Sequence, residues 1–358
     1  MTMRIGVDMA ATVGQKSGLG FYVDNVAREI QQLPGDHELV PITSIKKNLN
    51  TPKRVAWDQV GLPLSALTKK LDLLWVPAFS APRFPKPIVM TAHDIFGVTH
   101  PDQFSGVAKR YWSKILPESM RRADHLICIS EYTKREIQTH LNIPEHKMTV
   151  VPQAASAHFS LRDDVHNLER SVKKMGVETP FVLSVGTLEP RKNFERLVEA
   201  FVHADRGDAK LVLVGKKGWE YEGIFAKIRK YHLQNTVIYL DYVNEEELVT
   251  LYNTCLFFVM PSIYEGFGLP PLEAMACGAP VAVSQNTSLP EVVGEAGIVF
   301  DPFDVNSIRE RLDLLLTDPE RRAKMREASL VQAKRFSWSR TAKESLDIFN
   351  KVFQSYND

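Results

Sequence analysis

Residues 264–278 read YEGFGLPPLEAMACG, and two acids bracket the glycine corner inside that stretch. Glu265 and Glu273 stand eight residues apart, with Gly266, Phe267, Gly268, Leu269 and two prolines among the residues between them. Proline is tolerated in the first turn of a helix, so Pro270-Pro271 marks a helix start. Glu273 is then expected in the first helical turn and Glu265 in the loop before it. The spacing therefore places one acid on each side of a corner rather than both on one helical face. Glycine backbone amides at such a corner can point at an anion. The two carboxylates can accept hydrogen bonds from hydroxyls at the two ends of a ligand. The plain alternative is a first-turn acid favoured by the helix dipole and an exposed loop acid.

Three other stretches carry residue types with chemical use. Residues 184–201, SVGTLEPRKNFERLVEAF, place Arg191 and Lys192 just before Asn193, a good helix N-cap. Two cations at a helix N-terminus oppose the usual dipole preference, which makes sense if an anion fills the gap. A solvated Arg-Lys pair is the other reading. In TAHDIFG, His93 and Asp94 follow a strand, a pair suited to positioning or proton handling. Equally, Asp94 caps the next turn and His93 is satisfied locally. Residues 9–20, MAATVGQKSGLG, put Gly14, Gly18 and Gly20 ahead of a helix beginning near Phe21. That loop can cradle a phosphate or form a plain turn. It lacks the GK[ST] of a Walker loop and does not match G-x-G-x-x-G.

The elements that must position these groups alternate between short β-branched runs and longer amphipathic ones. Strands are expected at 4–8, 38–42, 72–76, 87–92, 125–129 and 148–151, and again at 180–185, 210–214, 236–240, 256–260 and 280–283. Apolar Tyr22, Val26, Ile30 and Leu33 recur at helical spacing between the first two. Strands alternating with helices imply parallel α/β sheets, and two series imply two doubly wound, Rossmann-like domains. Open α/β sheets bind ligands beyond the carboxyl ends of their strands. The domains are therefore expected to face each other across a cleft. The boundary is expected in the polar segment 152–179, which opens with Pro152. The tail from Ser337 reads as a helix with Ala342, Leu346, Phe349 and Phe353 on one side.

At 358 residues the chain is long for one core, and 44% apolar with 24% charged residues is ordinary for a globular protein. Residues 1–152 carry 19 basic against 14 acidic side chains (+5), and the remainder 25 against 29 (−4). The basic half suits an anionic partner or reflects chance on solvated faces. Cys128, Cys255 and Cys277 are odd in number and widely spaced, without metal-ligand spacing, so reduced thiols and a cytoplasmic location are expected. MTMRIGVDMA lacks the apolar run of a signal peptide, and no stretch approaches a membrane span. Residues 108–122, AKRYWSKILPESMRR, combine Lys109, Arg110, Lys114, Arg121 and Arg122 with Tyr111, Trp112, Ile115 and Leu116. This reads as a basic face for anionic lipid at the inner side of the plasma membrane, or as a cover helix with a solvated edge. Nothing resembles a nucleic-acid platform, and oligomeric state is not legible.

Taken together, the pieces describe a ligand with an anionic middle and hydroxylated ends, as in a nucleotide-sugar. At this point the chain resembles the GT-B-fold, retaining glycosyltransferases of the family 4 type (glycosyl transferases group 1), typified by sucrose-phosphate synthases and bacterial α-mannosyltransferases. The resemblance runs through SGLGFY, TAHDIFGVTHP, ICISEYTKREI, VVPQA, VGTLEPRKN, LVLVG, YEGFGLPPLEAMACGAPVAVS, LPEVVGEAG and FSWSRTAKESL. It implies an acceptor-side domain of residues 1–160 plus 337–358 and a donor domain of residues 172–336.

Carried over residue by residue, the resemblance puts the ribose on Glu273 and the donor sugar on Glu265. The amides of Gly266, Phe267, Gly268 and Leu269 would lie near sugar and diphosphate, with Lys192 on the diphosphate and Arg191 beside it. Gly186 and Thr187 would border the phosphates, and the base would sit near Gly215 and the Tyr242-Val243 backbone. Gly14, Ser17, Gly18, Leu19 and Gly20 would close over the phosphates or line the acceptor site. His93 would approach the anomeric carbon, with Asp94 nearby. Many relatives carry an arginine where this chain has Thr187, which leaves open whether Arg191 reaches the phosphates or braces the loop.

The resemblance further implies transfer with retention and with no metal or other cofactor, from a nucleotide-sugar donor to a glycan or lipid-linked acceptor. GTLEPRKN and the HDxxxxxxP pattern resemble mannosyltransferases of bacterial surface glycans, which points to GDP-mannose. UDP-glucose, UDP-galactose and UDP-N-acetylglucosamine are the alternatives. A sugar-nucleotide epimerase and a non-catalytic nucleotide-sugar-binding module are the rivals from other classes.

Overall fold

In the computed structural model, which describes residues 2–14, 18–44 and 49–358, the chain divides into two units. One comprises Met1–Gln153 with Ser337–Asp358, and the other Ala154–Phe336. The first holds a six-stranded parallel sheet of β1 (Met3–Asp8), β2 (His37–Ile42), β3 (Leu73–Val76), β4 (Ile88–Ala92), β5 (His125–Cys128) and β6 (Met148–Val150), in the order β2-β1-β3-β4-β5-β6. The second holds β7 (Phe181–Val185), β8 (Lys210–Val214), β9 (Val237–Leu240), β10 (Phe257–Met260), β11 (Val281–Ser284) and β12 (Ile298–Phe300). These are again parallel, in the order β12-β11-β10-β7-β8-β9. Renumbered within that unit, the order is the 3-2-1-4-5-6 of a dinucleotide-binding sheet read from the β9 edge.

Helices cover both faces of each sheet, so the strands are buried on both sides and read as apolar runs. Alternate residues of one strand feed opposite cores. Phe181 and Leu183 join one cluster with Tyr252, Met260 and Met275, while Val182 joins the other with Phe194, Leu197 and Phe201. In the first unit the terminal helix Trp338–Asn357 packs on the helix Gly18–Gln32. Phe349 is fully buried there, its ring 5.4 Å from that of Trp75, in a cluster with Tyr22, Val26 and Ile30. Phe349→Ala is expected to destabilise this unit by about 3–5 kcal/mol, the usual cost of emptying such a site. Urea denaturation followed by tryptophan fluorescence checks it. A change below about 1 kcal/mol would contradict the packing described.

Several expectations shift. The first unit ends at Gln153 rather than 160, and the second starts at Ala154 rather than 172. Phe159 lies in the second unit's core, and the Ser160 carbonyl accepts a hydrogen bond from Asn253 Nδ2. The polar segment also holds a helix, Val165–Lys174, whose Val172 is fully buried. β12 has no counterpart in the expected set, because three residues are too short to show a period. The helix expected near Phe21 begins at Gly18.

The basic stretch 108–122 also changes meaning. It lies on a continuous helical run from Gly106 to Arg122, with a π turn at Tyr111–Ile115 just ahead of Pro117. A proline cannot donate to the carbonyl one turn back, and widening that turn accommodates it. Tyr111 and Leu116 are buried, Trp112 and Ile115 are half-buried, and Lys109, Arg110, Lys114 and Arg121 are exposed. Tyr111 and Leu116 thus face the core, while Trp112 and Ile115 are partly accessible beside the exposed basic residues. Among the described residues, no helix is long and apolar enough to cross a membrane.

Candidate functional site

The second sheet reverses its winding between β7 and β10, which are hydrogen-bonded neighbours. Loops leaving the carboxyl ends of such a pair diverge and leave a crevice. The loop after β7 carries Gly186, Thr187, Arg191 and Lys192, and the loop after β10 carries Glu265 to Gly268. The reversal therefore sits between the two stretches singled out in the sequence.

The loops are tied together by backbone and side chain. Ile263 N–H donates to the Arg191 carbonyl at 2.8 Å. Asn193 stands at the N-cap position of the helix Phe194–Val202, as expected, but its side chain makes no capping bond. It sits in the left-handed region at φ 59°, and its Nδ2 donates to the Pro261 and Pro302 carbonyls at 3.0 and 2.7 Å. Its Oδ1 accepts from Arg196 Nη1 at 2.9 Å. Asn is among the few residues that adopt φ > 0 readily, so the same short amide serves as a brace.

Glu265 is 9% exposed and lies between two cations. Lys192 Nζ donates to Oε1 at 2.6 Å, and Arg191 Nη1 to Oε2 at 3.1 Å. Burial alone would push this carboxyl up, but Lys192 and Arg191 beside it, with the Ser262 hydroxyl, hold it down at about 2. Burial acts on the Lys192 ammonium in the opposite sense and pushes it down, with Glu265 opposing. Arg191 is further engaged by the Tyr264 carbonyl at 2.7 Å and by Glu189, whose Oε1 accepts from Nε at 3.0 Å. A guanidinium spread over three acceptors of two adjoining loops braces the corner.

Backbone geometry explains the glycines. Gly268 has φ +136°, and a Cβ there would meet Leu289 at 2.8 Å. Gly215, at φ +142°, would drive a Cβ into the Gly186 carbonyl oxygen at 2.1 Å, so the ends of β7 and β8 touch only without side chains. Phe267 is buried, its ring edge-on to Phe336 at 5.9 Å. Ser288, fully buried after β11, donates to the Glu265 and Phe267 carbonyls and pins the corner from behind.

Glu273 is the fifth residue of the helix Leu269–Ala276, one beyond the first turn expected for it. Its Oε2 accepts from Tyr252 OH at 3.1 Å. Burial pushes its carboxyl up to about 7, against the Tyr252 hydrogen bond and with Glu245 adding to the rise. The two acids are thus shifted in opposite directions, Glu265 held ionised by its cations and Glu273 moved toward its protonated form. Tyr242, 65% exposed after β9, has Lys216 Nζ 5.1 Å from its ring centroid, while the adjoining Val243 packs against the core. Thr187 is exposed and Leu269 half-buried.

In the first unit the winding reverses between β1 and β3. Gly14 has φ +99°, Gly18, Leu19 and Gly20 open the helix Gly18–Gln32, and Ser17 lies outside the described residues. His93 follows β4, with Nε2 at 2.8 Å from the Pro77 carbonyl and Nδ1 at 3.1 Å from Gln153 Nε2. Nε2–H donating to the carbonyl and Nδ1 accepting from the amide is the tautomer this pattern requires. Burial lowers the imidazole to about 4, so it is neutral at physiological pH. Asp94 Oδ1 accepts from Phe96 N–H at 3.0 Å, a local turn cap. Gln153, Tyr252 and Ser288 were not picked out from the sequence. Gln153 lies in the VVPQA stretch after β6, whereas Tyr252 and Ser288 look like an ordinary core aromatic and a loop serine.

Residues 17–156 match the family described as Glycosyltransferase Family 4, and residues 167–331 the family Glycosyl transferases group 1. The chain is 35% identical over 302 residues to the O-antigen chain mannosyltransferase B of Escherichia coli, covering 83% of this chain and 77% of that one. It is 31% identical over 283 residues to the serotype-specific mannosyltransferase WbdA of Escherichia coli, of whose length it spans about a third (35%) and which covers 77% of this chain. The sucrose-phosphate synthase of Thermosynechococcus elongatus superposes with a TM-score of 0.79 at 18% identity, over 99% of this chain and 100% of that one. The two family matches fall in turn on the two Rossmann-like units, and with a relative this similar over most of both lengths the chain belongs to the family 4 glycosyltransferases, enzymes of the GT-B fold.

Proposed function

We propose that this glycosyltransferase moves a mannosyl unit from GDP-mannose to a hydroxyl of a growing surface glycan or lipid-linked saccharide, with retention and without a metal. The observation that carries the reading is the Lys192–Glu265–Arg191 cluster at the winding reversal of the second sheet. The similarity to mannosyltransferases supports the sugar. In this reading Lys192 and the corner amides face the diphosphate, Glu265 the sugar hydroxyls and Glu273 the ribose. Arg191 holds the corner in place. The base lies by Gly215, Tyr242 and Val243.

The acceptor oxygen forms a bond to the anomeric carbon as the bond from that carbon to the diphosphate oxygen breaks. The electron pair leaves with the diphosphate. The acceptor's proton passes to a diphosphate oxygen on the same face, which needs no protein base. Charge accumulates on the leaving oxygens, where a buried cation and fixed amides stabilise it most. His93, neutral and held through both nitrogens, is suited to hydrogen bonding and shape rather than proton transfer.

A calorimetric panel of GDP-mannose, UDP-glucose, UDP-galactose and UDP-N-acetylglucosamine tests the donor. Selective binding of the GDP species is expected, and a response to UDP species alone would overturn it. Lys192→Ala is expected to weaken donor binding at least tenfold with the fold retained by circular dichroism. Wild-type binding in that variant would remove the cluster from the donor site. Proton NMR of the new linkage reads retention.

A further inference from the structure

We infer that Thr287 is a specificity-determining residue for the donor sugar, its hydroxyl supplying a hydrogen bond to a sugar hydroxyl beside the Glu265 corner. This rests on the donor reading above and adds a residue to it.

Two independent observations converge on this position. Thr287 adopts φ +73°, in the left-handed region that a β-branched residue enters only under strain. Its Oγ1 is shut off from solvent and has no hydrogen-bond partner. Either feature alone opposes folding. Backbone strain of this kind is unfavourable, and so is a buried hydroxyl without a partner. Glycine at 287 would remove both. A position that carries both costs is one where the side chain is used by something that arrives later.

Location says what arrives. Thr287 lies in the loop that follows β11, and β11 pairs with β10. Its neighbour Ser288 donates to the carbonyls of Glu265 and Phe267, so residue 287 is one position along the chain from the side chain that pins the corner. The groups already described there supply charge, in Lys192 and Arg191, and an acceptor-only carboxylate, in Glu265. Unlike these charged groups, and unlike the Ser288 hydroxyl committed to the corner carbonyls, the Thr287 hydroxyl has no partner and can both donate and accept, which is what discriminating one sugar hydroxyl requires. The ligand class is therefore the pyranosyl part of the donor, not its diphosphate or base.

Three variants separate use of the hydroxyl from its cost. Thr287→Val removes the hydroxyl and keeps the branched shape. Thr287→Gly removes the hydroxyl and the strain. Thr287→Ser keeps the hydroxyl. Thr287→Val and Thr287→Gly are expected to lower kcat/KM for the sugar donor about tenfold, while Thr287→Ser stays within about threefold of wild type. Binding of the free nucleoside diphosphate should be unchanged in all three. The Tm of Thr287→Gly should equal or exceed that of wild type. Monodeoxy donors complete the test, since one of them should show no further loss in Thr287→Val. Wild-type kcat/KM in Thr287→Gly, or equal losses with every deoxy donor, would overturn the assignment. Failure of the wild-type enzyme to bind any nucleotide-sugar would instead defeat the donor reading, so the two failures are distinguishable.

Discussion

Glu265→Gln is expected to cut sugar transfer at least a hundredfold while tightening the binding of a free nucleoside diphosphate several-fold. The two effects run in opposite directions because, in the proposed reading, the carboxylate serves one part of the donor and competes with another. In the ligand-free protein it occupies Lys192 Nζ at 2.6 Å and Arg191 Nη1 at 3.1 Å. A diphosphate approaching Lys192 meets a cation already neutralised by its neighbour. Glutamine keeps the shape and one hydrogen-bond acceptor but removes the negative charge, so the cations turn fully to the phosphates. The sugar loses the anion that grips its hydroxyls. Two buried like charges then face each other, and the ligand-free variant should unfold earlier than wild type. Nucleoside diphosphate should restore much of that loss by mass action. Calorimetry with the nucleotide and initial rates with the donor give both readouts. Weaker nucleotide binding together with intact transfer would show that Glu265 acts only as a scaffold for Lys192.

Glu273 predicts a pH profile. Burial raises its carboxyl from 4.5 to about 7 in the ligand-free fold. A group that accepts two ribose hydroxyls must be ionised, so donor affinity should fall as pH drops from 8 to 6 and level off above about 8. Stability runs the other way. Between about 4.5 and 7 the folded state holds a proton that the unfolded chain does not, so this contribution is lost as pH rises through about 7. Glu273→Gln should abolish both dependences. At pH 8 the ligand-free variant should be more stable than wild type by on the order of 1–3 kcal/mol, yet bind donor at least tenfold more weakly. Thermal melts at pH 6 and 8 and nucleotide-sugar titrations at the same pH values check this. A pH-independent affinity in the wild type would show that the carboxyl is not raised, and wild-type donor affinity in Glu273→Gln would rule out Glu273 as the ribose acceptor.

The sequence shows the fold well because parallel strands buried on both faces are uninterrupted apolar runs, as in FVLSV and KLVLV, followed by glycine. It shows the candidate corner because charge and glycine crowd into two short loops. What it hides is what depends on reach across the chain. Arg191 bridging Glu189, Tyr264 and Glu265 spans more than seventy positions, and no local pattern announces it. Asn193 has the residue type of a cap and the backbone of a brace. Tyr111 sits among basic residues yet faces inward, because helical phase rather than composition decides exposure. Thr287 carries no signal at all, since strain is invisible without coordinates.

The chain's division into Met1–Gln153 with Ser337–Asp358, around Ala154–Phe336, has a consequence for biosynthesis. The unit that begins first is finished last. Tyr22, Trp75 and Val26 form the face that the helix Trp338–Asn357 covers, and that helix is translated only after the whole of Ala154–Phe336. At about 5–20 residues per second the face stays open on the ribosome for on the order of ten seconds or longer, the time in which the inserted unit is synthesised. The inserted unit is therefore finished before the first unit is sealed, and the interval before sealing is when a holdase chaperone has an apolar surface to bind.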